Sequence, residues 1–183
     1  MNRLVLSHKD FTLFKAFIYE HIGISLGEQK IYLVQARLSK RVKQLSLNSF
    51  REYYEILLND KTGQELEYLS SLISTNVTSF FRESKQWDFL KLHLPTIMEG
   101  KNQKLRIWSA ACSSGEEPYS IGMFLEEHMP HVDVKILATD VSSRVLKAAM
   151  LGEYSQKACG SLGAEYLNRY FTKVPQENTW VYR

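Results

Sequence analysis

Hydrophobic positions in the first third of the chain recur at steps of three and four, the period of helices that bury one face. Phe11, Phe14, Ile18 and Ile22 form one such stripe, and Ile31, Val34, Leu38, Val42 and Leu45 a second. Phe50, Tyr53 and Leu57 form a third, and Leu66, Leu69 and Ile73 a fourth. Ser7 with Asp10, Ser49 with Glu52 and Thr62 with Glu65 have the spacing of capping boxes, in which a hydroxyl accepts an amide left free at a helix start. Gly23 is a stop signal for the first helix. The pattern predicts a small all-helical domain over residues 1–75.

From Leu105 onward the period changes. Leu105 to Ser109 and Val134 to Thr139 read as strands, separated by a helix from about Glu117 to Met129. Another helix is predicted from Ser142 to Met150. Strand, helix, strand, helix is the signature of an α/β fold with a parallel sheet and crossover connections. Residues 76–104 join the halves and contain a further predicted helix, about Ser84 to Met98, so the expected division is 1–75, 76–104 and 105–183.

The 183 residues are 44% hydrophobic, which suits one or two folded units. No apolar run approaches the roughly 18 residues needed to span a bilayer, and Met1 to Asp10 lacks the pattern of a secretory signal. The two cysteines, Cys112 and Cys159, fit a reducing cytoplasm better than a disulfide framework. The net charge of +3 names no partner, but its distribution is informative. Between Glu28 and Glu52 there is no acidic residue, whereas Lys30, Arg37, Lys40, Arg41, Lys43 and Arg51 are basic. Arg37, Lys40, Arg41 and Lys43 fall mostly off the apolar stripe, so they would face water or a partner. A merely solvated basic face is the alternative. A nucleic-acid role lacks interleaved aromatics and a recognition-helix motif.

In doubly wound sheets a ligand sits outside the carboxyl ends of the strands, near the first strand-to-helix turn. Here that turn is Ala110-Ala111-Cys112-Ser113-Ser114-Gly115-Glu116-Glu117-Pro118. Small residues let a ligand approach the backbone, and Pro118 suits the first helical turn. The repeated glycines of a dinucleotide fingerprint are missing, and the glutamates would repel a pyrophosphate. S-adenosylmethionine, a sulfonium without phosphates, fits better. Asp140 lies 25 residues after Gly115, at a strand end where an acid can reach ribose hydroxyls. Two plainer readings stand beside this one: glutamates placed at the positive end of a helix dipole, and an aspartate capping the next helix. His128 and His131 are separated by Pro130, and His8, His21 and His93 are scattered, so no metal site is expected. Cys112 has no matching base and reads as a small loop residue.

Three segments, in order, resemble the CheR family of chemotaxis-receptor methyltransferases. Thr75-Asn76-Val77-Thr78-Ser79-Phe80-Phe81-Arg82-Glu83 is similar to the family's Thr-Asn-x-Thr-x-Phe-Phe-Arg-Glu segment. Ile107 to Ser120 is similar to its first cofactor loop. Ile136-Leu137-Ala138-Thr139-Asp140-Val141-Ser142 is similar to its ribose-binding strand end, followed by Gly152-Glu153-Tyr154. The helical start, with Gly23-Ile24-Ser25-Leu26 and Lys30, agrees as well.

The resemblance implies a small all-helical receptor-recognition domain followed by a Rossmann-like methyltransferase domain that uses S-adenosylmethionine and no metal. It implies methylation of glutamate side chains on the acidic cytoplasmic helical region of chemotaxis receptors. Asn76, Thr78, Arg82, Glu117 and Asp140 would bind cofactor, with Arg82 also placing the incoming carboxylate. Arg37, Lys40, Arg41 and Lys43 would meet the receptor. Glu116 would serve the loop or helix start, Trp108 and Tyr119 would pack, and Phe80 and Phe81 would anchor Arg82. Relatives continue with a sheet-completing half, an inserted small β-subdomain and an Arg-Asn motif. The chain therefore reads as truncated, ending at Trp180-Val181-Tyr182-Arg183 near the family's next strand. A strand through Ile107, Trp108 and Ser109 would then present an apolar edge, open to pairing with a second copy. The competing function is a non-catalytic module that docks on a signalling protein through the basic helix.

Overall fold

A computed structural model describes residues 4–100, 102–175 and 177–183, arranged as two compact units, Met1–Thr75 and Asn76–Arg183.

Among its described residues the first unit has four α-helices, α1 (His8–Ile22), α2 (Ile31–Gln44), α3 (Phe50–Leu58) and α4 (Gln64–Ile73), with a 3-10 turn at Glu28–Lys30 ahead of α2. A single core joins their apolar stripes, with Phe11, Phe14, Ile18, Val34, Leu38, Val42, Tyr53 and Leu69 almost wholly out of solvent. Ser7 caps α1 by accepting from the Asp10 amide at 3.1 Å, and Gly23 ends it in a left-handed conformation, φ 78°. Ser49 caps α3, accepting from the Glu52 amide at 3.2 Å, while the Glu52 carboxylate returns to the Asn48 amide.

The third expected box, Thr62 with Glu65, is corrected. Gly63 occupies the cap position of α4, and Asp60 supplies the acceptors. One Asp60 oxygen takes the Thr62 and Gly63 amides; the other takes those of Glu65 and Leu66, at 2.8 and 3.1 Å. A full negative charge with two oxygens serves the free amides better than a hydroxyl does. Bonds from the Thr62 hydroxyl and from these amides pull the Asp60 carboxyl down to about 2. Glu65 is thereby free to turn inward.

The second unit begins with an irregular segment and α5 (Ser84–Met98), then β1 (Lys104–Ala110), α6 (Glu116–His128), β2 (Asp133–Thr139) and α7 (Ser143–Leu151). β1 and β2 pair in parallel, with Ile107 opposite Ile136 and Trp108 opposite Leu137. Side chains alternate across the pleat. Leu105, Ile107, Val134, Leu94, Phe124 and Leu125 thus share one packed core. Trp108 and Leu137 fall on the other face and are 68% and 61% exposed. The packing role expected for Trp108 is corrected: no described element covers that face, and the indole donates to the Thr139 hydroxyl across the strand pair at 2.9 Å.

Past α7 come β3 (Glu153–Ser155), α8 (Ala164–Tyr170), β4 (Phe171–Val174) and β5 (Thr179–Tyr182), in an antiparallel sheet of order β3-β5-β4. The sequence pattern had not suggested this sheet, because strands of three and four residues are too short to show alternation. Tyr154, Tyr170, Phe171 and Leu167 pack with Phe80 and Met123 into a third core. Among the described residues no helix is long and apolar enough to cross a membrane.

Candidate functional site

The turn after β1 has an unusual backbone. Ala111, Ser113 and Gly115 all have positive φ, at 66°, 51° and 96°, so left-handed residues alternate along the loop. At the two non-glycine positions, Ala111 and Ser113, such conformations cost about 1–3 kcal/mol each and persist only where the surroundings fix them. The surroundings here do so. Cys112 donates its amide to Thr139 O at 2.8 Å, and Ser113 donates to the Asp140 carboxylate at 2.8 Å. At Gly115 a side chain has no room, since a Cβ would lie 2.9 Å from the Tyr154 hydroxyl and 3.0 Å from Ala149 Cβ.

Asp140 therefore lies against the turn. Its second oxygen accepts the Ser142 amide at 2.9 Å, at the cap position of α7. The hydroxyls of Ser113 and Ser142, the residues whose amides bind Asp140, are buried without hydrogen-bond partners. Buried hydroxyls in that condition usually have a water or ligand to satisfy. The sequence reading gave neither a role; their signal was a position two residues from Gly115 and two from Asp140.

The two glutamates, indistinguishable in sequence, are separated by the fold. Glu116 is buried and accepts from the Ser114 hydroxyl at 2.7 Å. Glu117 is exposed and accepts from Ser109, buried at the end of β1, at 2.6 Å. Pro118 sits in the first turn of α6, where its missing N–H costs nothing. Burial and the Asp140 charge push the Cys112 thiol up, so it remains a neutral thiol.

Asn76 and Thr78 lie half-buried in the irregular segment preceding α5. Phe80, 2% exposed, and Phe81 anchor that segment, Phe80 edge-on to Tyr154 and Phe81 against Trp87 and Tyr166. The Phe81 amide donates to Ser120 on α6 at 3.0 Å, which ties the segment to the helix that carries Glu116 and Glu117. Arg82 is exposed and folds back to Val77 O at 2.6 Å, with Glu83 at 3.8 Å. A bond from Trp87 to Arg82 O fixes its backbone at 2.8 Å.

An apolar cavity of about 530 Å³ lies between α6, β2 and α7, lined by Pro118, Tyr119, Ile136, Leu146 and Tyr182 among others. Cys112 reaches it, but none of the five expected cofactor residues does.

On α2, Lys40 and Lys43 are exposed. Arg37 and Arg41, half-buried, are bound inside the helical unit. Arg37 donates to the carbonyls of Ile73 and Ser74 and to the Thr75 hydroxyl at 3.0 Å, closing the end of α4. Arg41 grips both oxygens of Glu65, at 2.8 and 2.5 Å, and lies 4.1 Å over the Tyr68 ring. Tyr53 donates to the same carboxylate at 2.8 Å. The Arg41 bonds hold Glu65 below the usual carboxylate range.

Comparison with known proteins identifies the family of both units. Residues 9–74 match the family profile described as CheR methyltransferase, all-alpha domain. Residues 76–183 match the one described as CheR methyltransferase, SAM binding domain. A chemotaxis protein methyltransferase of Borreliella burgdorferi is 44% identical over 173 residues, 90% of this chain and 61% of its own length. Chemotaxis protein methyltransferase 1 of Pseudomonas aeruginosa is 39% identical over 174 residues, covering 90% of this chain and 63% of its own. Chemotaxis protein methyltransferase 2 of Vibrio cholerae is 36% identical over 177 residues, covering 94% and 62%. The chain spans about three fifths of the length of these relatives. Since the SAM-binding match alone takes in more than half of its residues, this chain belongs to the CheR methyltransferase family.

Proposed function

We propose that the chain belongs to an enzyme that transfers a methyl group from S-adenosylmethionine to glutamate side chains of chemotaxis receptors in the cytoplasm. The observation that carries the reading is Asp140 bound to the Ser113 amide, which sets an acidic strand end against a strained, small-residue turn. The donor set suits the cofactor. Two carboxylates favour a sulfonium cation, and the unpartnered Ser113 and Ser142 hydroxyls offer polar groups beside them. Asn76, Thr78, Arg82, Glu117 and Asp140 would hold the cofactor.

When bound, S-adenosylmethionine supplies an electrophilic methyl carbon. A receptor glutamate is already ionised at neutral pH, its free pKa being about 4.3, so no residue of the chain has to remove a proton. The chain's contribution is to align the two partners and to strip water from the nucleophile. Arg82 has guanidinium donors beyond the one that binds Val77, and these can orient an incoming carboxylate. A grip that is too tight would hold back the attacking oxygen. Lys40 and Lys43 would steer an acidic receptor helix toward the helical unit.

The test is transfer of labelled methyl to receptor membranes, with base-labile label identifying a methyl ester. Arg82→Ala should lower that transfer or cofactor affinity; a variant unchanged in both refutes its role. Receptor binding without transfer would support the docking-module reading instead.

A further inference from the structure

Tyr154 stands outside every assignment made so far, yet it touches both segments proposed to bind cofactor. It is 4% exposed on β3, and its hydroxyl donates to Ser114 O at 2.7 Å. Ser114 lies between the two left-handed residues Ser113 and Gly115, so its carbonyl belongs to the strained part of the turn. On the other side, the Tyr154 ring meets Phe80 edge-on at 4.8 Å between centroids, within the segment that carries Asn76, Thr78 and Arg82. Tyr119 and Phe171 close around the remaining edges at 6.1 and 6.2 Å. The fit extends to Gly115, whose missing side chain leaves the space that the Tyr154 hydroxyl fills. Burial and the nearby Glu116 charge push the phenol up, so it stays a neutral donor.

We propose that Tyr154 is a positioning residue for the cofactor site, holding the Ala111–Gly115 turn through its hydroxyl while its ring registers the Asn76–Arg82 segment against it. The inference rests on the proposed cofactor reading of these two segments. A loop with alternating left-handed residues would otherwise relax toward ordinary conformations and carry the Ser113 amide away from Asp140. A tyrosine is suited to the task, because one rigid side chain presents an apolar ring to Phe80 and a polar tip to a buried carbonyl.

The test compares the 183-residue chain with Tyr154→Phe and with Leu167→Ala. The first removes only the hydroxyl. The second loosens the same core from α8, away from the rings of Tyr154 and Phe80, so it controls for general destabilisation. Titration with S-adenosylhomocysteine should show affinity about tenfold weaker for Tyr154→Phe, the worth of one buried hydrogen bond. Leu167→Ala should bind as the parent does at temperatures where both are folded. Amide exchange, read without any ligand, should quicken at Cys112 and Gly115 in Tyr154→Phe alone. Unchanged exchange at those amides overturns the proposal, as does an equal loss of affinity in both variants. If the parent chain fails to bind while exchange quickens as expected, the cofactor reading falls and the turn-holding role of Tyr154 stands.

Discussion

Asp140 accepts the Ser113 amide at 2.8 Å, so the end of β2 and the turn after β1 form one unit rather than two neighbouring loops. Its other oxygen accepts the Ser142 amide, which makes the carboxylate a bridge between the turn and the start of α7.

Asp140→Asn keeps the shape but turns an N–H₂ toward one of those two amides, leaving a donor facing a donor. Calorimetric titration with S-adenosylhomocysteine should show affinity weakened about tenfold or more, as expected when a charge-assisted bond of roughly 1.5–3 kcal/mol is lost. The circular dichroism spectrum should stay that of the parent.

Gly115→Ala places a Cβ within 3.0 Å of Tyr119 and closer still to the Tyr154 hydroxyl, at a φ of 96°. The steric and backbone strain together should cost about 1–3 kcal/mol. Denaturant unfolding followed by tryptophan fluorescence would measure it, since all three tryptophans, Trp87, Trp108 and Trp180, lie in the second unit.

Arg41→Ala strands the Glu65 carboxylate, whose side chain is 11% exposed, beside Tyr53. Breaking one side of a buried pair costs roughly 3–5 kcal/mol, and the partial exposure of Arg41 puts the expected loss at the low end. Lys43→Ala, on the exposed side of the same helix, should stay within about 0.5 kcal/mol of the parent. Helix-detected urea unfolding distinguishes the two. The triple variant Arg41→Met/Glu65→Leu/Tyr53→Phe should recover most of the loss, because neither a charge nor the buried Tyr53 hydroxyl is then left unpaired.

Acid should weaken the helical unit through Asp60, whose folded pKa, about 2, lies below its ordinary value of 3.8. A depressed carboxyl pKa means the stabilisation is full above about pH 4, declines as pH falls toward 2, and is gone below it. Asp60→Asn should remove this part of the acid dependence. Melting temperatures followed by helix content from pH 5 to pH 2 should therefore converge for the two proteins at the acid end.

The sequence alone determined the helical unit well. Phe11, Phe14, Val34 and Leu38 announce their buried faces through local periodicity, and a helix satisfies its own backbone within one stretch of chain. It also marked the β1 turn and Asp140, because small residues and acids at strand ends are local features. Tertiary structure decided the rest. Arg41 and Arg37 looked like free cations until α4 brought Glu65 and the Ile73 and Ser74 carbonyls to them, across 24 and 36 or more residues. Glu116 and Glu117 became distinct only when Ser109 and Ser114 took one each. Tyr154, 40 residues from Ser114, gained its partner by the same means. Periodicity reports which face of an element is apolar; which polar groups meet on distant elements depends on how those faces pack, and no local pattern records that.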